Sequence, residues 1–150
     1  MNETNRKSRY QAAILRSDEI LLIRHQEHMG GRTYWLLPGG GREEGESEIE
    51  CVRREVREET GLEVRVERLL YEARSMNPAS IYQSYKTYLC TPIAGEPSPG
   101  YEPEEDASAL YGIVEVRWVN LWDEGNWDDR MRTDPITHTN LTRVRRALKP

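Results

Sequence analysis

Two cysteines, Cys51 and Cys90, are all that the 150 residues contain, and they stand far apart. That is too few for a disulfide scaffold, and nothing has zinc spacing, so they read as two separate buried thiols. Long apolar runs are missing too. The longest resemble Ile20-Leu21-Leu22-Ile23, far short of the roughly 20 residues that span a bilayer. Met1 to Tyr10 is polar and basic with no apolar segment, so no secretory leader and no membrane partner are expected, and the reading is a cytoplasmic protein. A surplus of positive charge is also absent: 21 Lys+Arg face 26 Asp+Glu, for a net charge of −5. Duplex binding draws on a positive field, so nucleic acid is not an expected partner. Lysine is scarce, at 3 against 18 arginines. Arginine forks suit phosphate, but genome base composition gives the same skew, so this alone decides nothing. No internal repeat or low-complexity block is present.

What remains is ordinary for a folded chain. Hydrophobic residues make up 37%, with 4 Trp and 8 Tyr, too apolar for disorder. The length points to a single domain over residues 1–150. Tyr10 to Leu15 and Ile20 to His25 read as strands of an antiparallel hairpin around Ser17-Asp18. Trp35-Leu36-Leu37 is a third apolar run, halted by Pro38 and three glycines. The period turns helical from Ser47 to Thr60, then Val64 to Tyr71 and Tyr82 to Cys90 read as strands. Thr91 to Asp106, with four prolines and an acidic cluster, reads as loop. Val114 to Leu121 is a further strand and Asn140 to Leu148 a basic C-terminal helix. Interspersed strands and helices imply an α/β or α+β sandwich.

The 47–60 helix is the best-determined element. Ser47 with Glu50 three residues later forms a capping box, and Gly61 suits a left-handed C-terminal cap. At about 100° per residue, Ile49, Val52 and Val56 form an apolar stripe, and Glu55, Glu58 and Glu59 an acidic one beside it. Arg53, Arg57 and Glu50 take the arc toward water. Glutamates at i, i+3 and i+4 repel one another mildly. A hard divalent cation such as Mg²⁺ resolves that conflict, because it takes oxygen ligands and keeps waters for substrate phosphates. Arg54, at i+4 spacing to Glu58, offers the blander resolution of a solvated face.

The preceding loop tips that balance. Leu37-Pro38-Gly39-Gly40-Gly41-Arg42-Glu43-Glu44-Gly45-Glu46-Ser47 leads from a strand end into the helix, and its glycines let backbone N–H groups approach a ligand. Gly40 to Gly45 has P-loop spacing, with Ser47 at the hydroxyl position. Glu46, however, stands where that motif needs lysine, and a carboxylate there repels phosphate. The P-loop reading fails.

Gly40, Glu46 and the run Arg54-Glu55-Val56-Arg57-Glu58-Glu59-Thr60-Gly61-Leu62 together resemble a complete Nudix box, with every fixed position filled. The lead-in Trp35-Leu36-Leu37-Pro38-Gly39-Gly40 and the late strand Val116-Arg117-Trp118-Val119 are similar to the same family. The resemblance implies an α/β/α sandwich with a mixed central β-sheet and a loop–helix–loop box. It also implies hydrolysis of a nucleoside diphosphate linked to another moiety, with Mg²⁺ or Mn²⁺ as cofactor. By the same resemblance Glu55, Glu58 and Glu59 hold metal, Glu55, Glu58 and Arg54 serve catalysis, Gly40 permits close approach of the loop, and Glu46 anchors it. The general base is either a box glutamate or an acid from a later loop. Glu102, Glu104, Glu105 and Asp106 are candidates, Glu105 foremost, with Glu115 beside the late strand.

Substrate choice is less sharply written. Pro78, sixteen residues beyond Leu62, resembles a marker of ADP-ribose pyrophosphatases, whereas the Gly39-Gly40-Gly41 triplet resembles diphosphoinositol polyphosphate enzymes. The excess acid disfavours polyphosphorylated inositol, so an ADP-linked substrate leads, ahead of nucleoside triphosphates and dinucleoside polyphosphates. Tyr34, Trp35, Tyr82 and Tyr85 are candidates to stack a base. Arg24, Arg32 and Arg42 are candidates to pair with phosphates. His25 and His28 read as loop or edge residues. A nucleotide-sensing module without turnover is the rival class, and a homodimer is open because Nudix proteins are often dimeric. Gly40 to Leu62 holds eight acids and four bases, and so −4 of the chain's −5. The acidity belongs to one loop and helix.

Overall fold

The computed structural model describes residues 7–75, 80–100 and 111–149. Strands β1 (Lys7–Arg16) and β2 (Glu19–Glu27) form the expected hairpin, paired at Leu15↔Ile20 and Arg16↔Glu19. Ser17 makes the turn at φ 55. Beyond the hairpin the two strands take different neighbours. β2 is flanked by the short β3 (Thr33–Leu36) and by β7 (Tyr111–Asn120), both antiparallel. β1 pairs with the two-residue β4 (Gly39–Gly40) and, in parallel, with β6 (Tyr82–Ala94), whose other side carries β5 (Glu63–Arg74). One parallel pairing among antiparallel ones makes the sheet mixed, as expected.

Helices cover both faces. Successive strand residues point to opposite sides, and β1 shows where each side leads. Tyr10, Ala12 and Ile14 join a core cluster with Cys51, Val52 and Val56 of α1 (Glu48–Thr60). Ala13 joins a second cluster with Met131 of α2 (Asp129–Thr133) and Leu141 and Val144 of α3 (Pro135–Leu148). The result is an α/β/α sandwich. Each fully buried aliphatic side chain contributes on the order of 1.5–3 kcal/mol by leaving water, so the three helices are fastened by their buried apolar side chains. Among the described residues no helix is long and apolar enough to cross a membrane.

Four expectations need correction. Ile49 is 49% exposed, because the helix turns Cys51, Val52 and Val56 inward instead. β6 continues through Thr91, Pro92 and Ile93 to Ala94, so the loop begins later than the prolines suggested. β1 stops pairing with β6 at Ile14↔Cys90, which leaves Pro92 on a strand with one open side, where a missing N–H is tolerated. α3 begins at Pro135, not Asn140, because the Asp134 carboxylate accepts from the N–H groups of Ile136 and Thr137 and proline suits a first helical position. His25 lies inside β2 and is buried, not at an edge. A 3-10 turn at Glu124–Asn126 and the short α2 carried no clear sequence signal.

Candidate functional site

α1 is set in place by its own sequence. The Ser47 side chain accepts from the Glu50 N–H and the Glu50 carboxylate accepts from the Ser47 N–H, completing the capping box, and Gly61 closes the helix at φ 79. A side-chain cluster also ties the first turn to β6: Lys86 Nζ reaches Glu48 Oε2 at 3.0 Å, and the Tyr88 hydroxyl donates to Glu48. Burial works against the Glu48 charge, but the bonds from Tyr88 and Lys86 outweigh it and hold the carboxyl below its usual range.

Arg54 is the hub of the acidic face. Its Nε donates to Glu46 Oε2 at 2.7 Å, and its Nη1 donates to Glu58 Oε1 at 2.9 Å and Glu55 Oε2 at 3.3 Å. Nη2 donates to the Gly41 carbonyl at 3.0 Å and Glu46 Oε1 at 3.1 Å, so one guanidinium joins loop and helix. The bond to Glu46 does most to raise the Arg54 pKa above its ordinary value, against burial, and the same bond lowers that of Glu46. Glu55 and Glu59 are fully buried. Glu59 Oε1 accepts from the Gly39 N–H at 2.8 Å, pinning the glycine loop to the helix. A Cβ at position 40 would stand 2.2 Å from Glu55 Oε2. Only glycine lets the loop lie that close, which gives a physical reason for Gly40.

The residues expected at the site thus fall into two groups. Gly40, Glu46, Arg54, Glu55, Glu58 and Glu59 come together. Of the others, Arg24 lies on β2, Tyr34 and Trp35 on β3, and Arg32 just before β3. Arg24 lies 5.7 Å from the Trp35 ring centroid and pairs with Glu115 at 3.6 Å, while Arg117 covers the same ring at 4.8 Å. Trp35 is 2% exposed and part of the second core cluster, so stacking a base on it would require that core to open. Arg32 lies over the Tyr34 ring, whose hydroxyl donates to Glu27. Tyr82 sits near Arg9, and Arg42 near the Tyr10 ring. Tyr85 is half-buried opposite Arg9. Glu115 pairs with Arg24 and Arg117. Pro78, Glu102, Glu104, Glu105 and Asp106 lie outside the described residues.

Sequence reasoning missed a buried polar row next to the loop. Arg9 Nη2 donates to the Leu37 carbonyl at 2.7 Å, and Gln11 Nε2 donates to Thr87 Oγ1 at 2.8 Å. Gln11 is the register partner of Gly39. The available signal was the polar pair at i and i+2, Arg9 and Gln11, on either side of Tyr10 and next to the apolar run Ala12 to Leu15.

The donor set suits a hard cation. It is all carboxylate, and burying carboxylates is costly unless positive charge accompanies them. Arg54 supplies one such charge against Glu46, Glu55 and Glu58. Among the described residues no three acidic, histidine or cysteine side chains already form a metal cage. Arg54 instead stands between them.

A mixed-sheet α/β/α sandwich, with a carboxylate helix entered through a close-packed glycine loop, defines the class of protein. The model of the NUDIX domain matches residues 6–139, and the chain belongs to the Nudix hydrolase family. The NAD-capped RNA hydrolase NudC of Photobacterium profundum is 35% identical over 95 residues, covering 63% of this chain and 34% of that protein. YjhB of Bacillus subtilis, provisionally named an ADP-ribose pyrophosphatase, is 32% identical over 105 residues, covering 67% of this chain and 49% of that protein. The chain therefore spans half or less of these curated relatives. The crystal structure of an ADP-ribose pyrophosphatase from Streptococcus suis has the same fold, with a TM-score of 0.65 at 23% identity over 97% of this chain and 94% of that one.

Proposed function

We propose that this chain hydrolyses the pyrophosphate bond of a nucleoside diphosphate linked to another moiety, with an ADP-linked compound such as ADP-ribose as the leading substrate and Mg²⁺ or Mn²⁺ as cofactor. The observation that carries the reading is the cluster itself: Glu55, Glu58 and Glu59 on one helix face, joined to a glycine loop through Arg54 and the Gly39 N–H. Glu55, Glu58 and Glu59 are the residues that would hold the cation. When bound, it would neutralise pyrophosphate charge and make water a stronger nucleophile. The protein's own part is positional. Arg54 fixes the directions of Glu55 and Glu58 by charge-assisted hydrogen bonds. Gly40 and Gly41 bring backbone against the carboxylates, where a phosphate can be approached closely. A carboxylate oxygen of Glu55 or Glu58 takes the proton from the attacking water in this reading.

The names of the relatives widen the substrate panel to NAD-capped RNA, which places an RNA-linked nucleotide beside the small ones. The test is a panel of ADP-ribose, NAD, nucleoside triphosphates, dinucleoside polyphosphates, a diphosphoinositol polyphosphate and NAD-capped RNA, each with and without Mg²⁺. Mass spectrometry in ¹⁸O-water shows which fragment gains solvent oxygen. Cation-dependent cleavage of an ADP-linked compound is the expected result. Binding of a nucleotide with no product from any compound would replace the enzyme with a sensing module.

A further inference from the structure

Helix geometry leaves the last carbonyls of α1 without partners of their own. The Gly61 N–H takes the Arg57 carbonyl, and the Leu62 N–H turns to Thr60 Oγ1, so the helical ladder ends there. Glu58, Glu59 and Thr60 still carry carbonyls beyond it. The segment after β6 comes back to meet them: the Ser98 N–H donates to the Thr60 carbonyl at 2.8 Å, and the Gly100 N–H donates to the Glu59 carbonyl at 2.9 Å. The approach at residue 100 is tight. A Cβ there would lie 1.9 Å from the Glu58 carbonyl oxygen and 2.9 Å from the carbonyl carbon of Glu59. The obstacles are backbone atoms, which cannot swing aside as a side-chain tip can. Loop 95–100 is therefore seated on the backbone of Glu58 and Glu59, two residues whose side chains belong to the acidic cluster.

We infer that Gly100 is a positioning residue for the α1 carboxylates: loop 95–100 is fixed to the backbone of the last turn while the Gly39 N–H holds the Glu59 carboxylate, and together they set the directions of Glu58 and Glu59. The inference rests on the reading of those carboxylates as cation ligands. Its consequence is that a substitution remote from the acidic side chains changes the affinity of the cluster for a cation. Partners that orient ligands commonly change metal affinity by about 10- to 100-fold when lost.

The experiment uses the whole chain and Mn²⁺ alone, titrated and followed by the loss of the free-ion electron paramagnetic resonance signal. Gly100→Ala is expected to weaken Mn²⁺ binding about tenfold or more. Gly125→Ala, at a glycine whose Cβ would meet nothing within 4 Å, should bind as the parent does. Equal Mn²⁺ affinity in parent and Gly100→Ala overturns the inference, as does a lowered melting temperature with affinity unchanged, which marks a merely structural role. A parent that binds no Mn²⁺ overturns this inference and the proposed cofactor together, so the two failures are told apart. Should Gly100→Ala not fold, amide exchange in the parent decides. Ser98 and Gly100 must be protected as strongly as the last turn of α1, and faster exchange there shows that the loop is not fixed to it.

Discussion

At the scale of single residues, the acidic cluster separates charge from shape. Glu59 is fully buried and accepts the Gly39 N–H through Oε1, and a glutamine keeps an oxygen that can accept the same bond. Glu59→Gln should therefore fold like the parent while turnover falls on the order of 10²-fold or more, equivalent to several kcal/mol of transition-state stabilisation. Circular dichroism and steady-state rates at saturating Mg²⁺ check both halves, and full activity would remove Glu59 from the site. Arg54 tests geometry in the same way. Its fork reaches Glu46 with two nitrogens while also serving Glu58 and Gly41. A lysine carries the charge on a single point and cannot span these partners. Arg54→Lys is expected to lower kcat more than it raises KM, and a rate equal to that of the parent would show that only charge matters.

At the scale of elements, α1 is where sequence and structure agree most closely, because its signals are local. Ser47, Glu50 and Gly61 mark both ends by chemistry that acts within one turn. Ser47→Ala should cost ~1 kcal/mol, lowering the melting temperature by about 2–4 °C for a chain of this size. Thermal unfolding measures it, and no shift would mean that the Glu48 contacts to Lys86 and Tyr88 hold the helix start alone. What could not be read is tertiary. Periodicity groups Ile49 with Val52 and Val56, but the sheet lies under Cys51, and nothing in the helix sequence says so. Pro92 looks like a strand breaker until β1 is known to leave β6 at Cys90. The carboxylate stripe was legible from spacing. The backbone contacts around it were not, since the Gly39 N–H that meets the Glu59 carboxylate and the Gly100 N–H that meets the Glu59 carbonyl come from other segments of the chain.

At the scale of the whole molecule, stability should depend on both acid and cation, for different reasons. His25 is buried in β2, and burial, with the Arg9 charge second, lowers its pKa from 6.5 to about 4. The unfolded chain therefore takes up a proton near 6.5 that the folded one refuses until about 4. The neutral histidine's stability is complete above 6.5 and drains as pH falls to about 4, by about 3 kcal/mol in all. Urea unfolding of the parent and His25→Asn across that window should show a smaller pH slope in the variant, and equal slopes would refute the assignment. The cation acts through charge. Gly40 to Leu62 carries −4 of the net −5, and Arg54 stands among carboxylates that folding brings together. The unfolded chain keeps them apart and so has little affinity for a divalent ion. Selective binding to the folded state at about 100 times Kd adds ≈ 2.7 kcal/mol. Mg²⁺ should accordingly raise the melting temperature by several degrees. NaCl at the same ionic strength should not reproduce the rise, since screening weakens repulsion everywhere without favouring one site. Replacing Glu55, Glu58 and Glu59 together with glutamine should abolish the Mg²⁺ shift while leaving the NaCl response. If the triple variant and the parent gain equally, the acidity of this helix is a general surface property and the carboxylates are not the ligands.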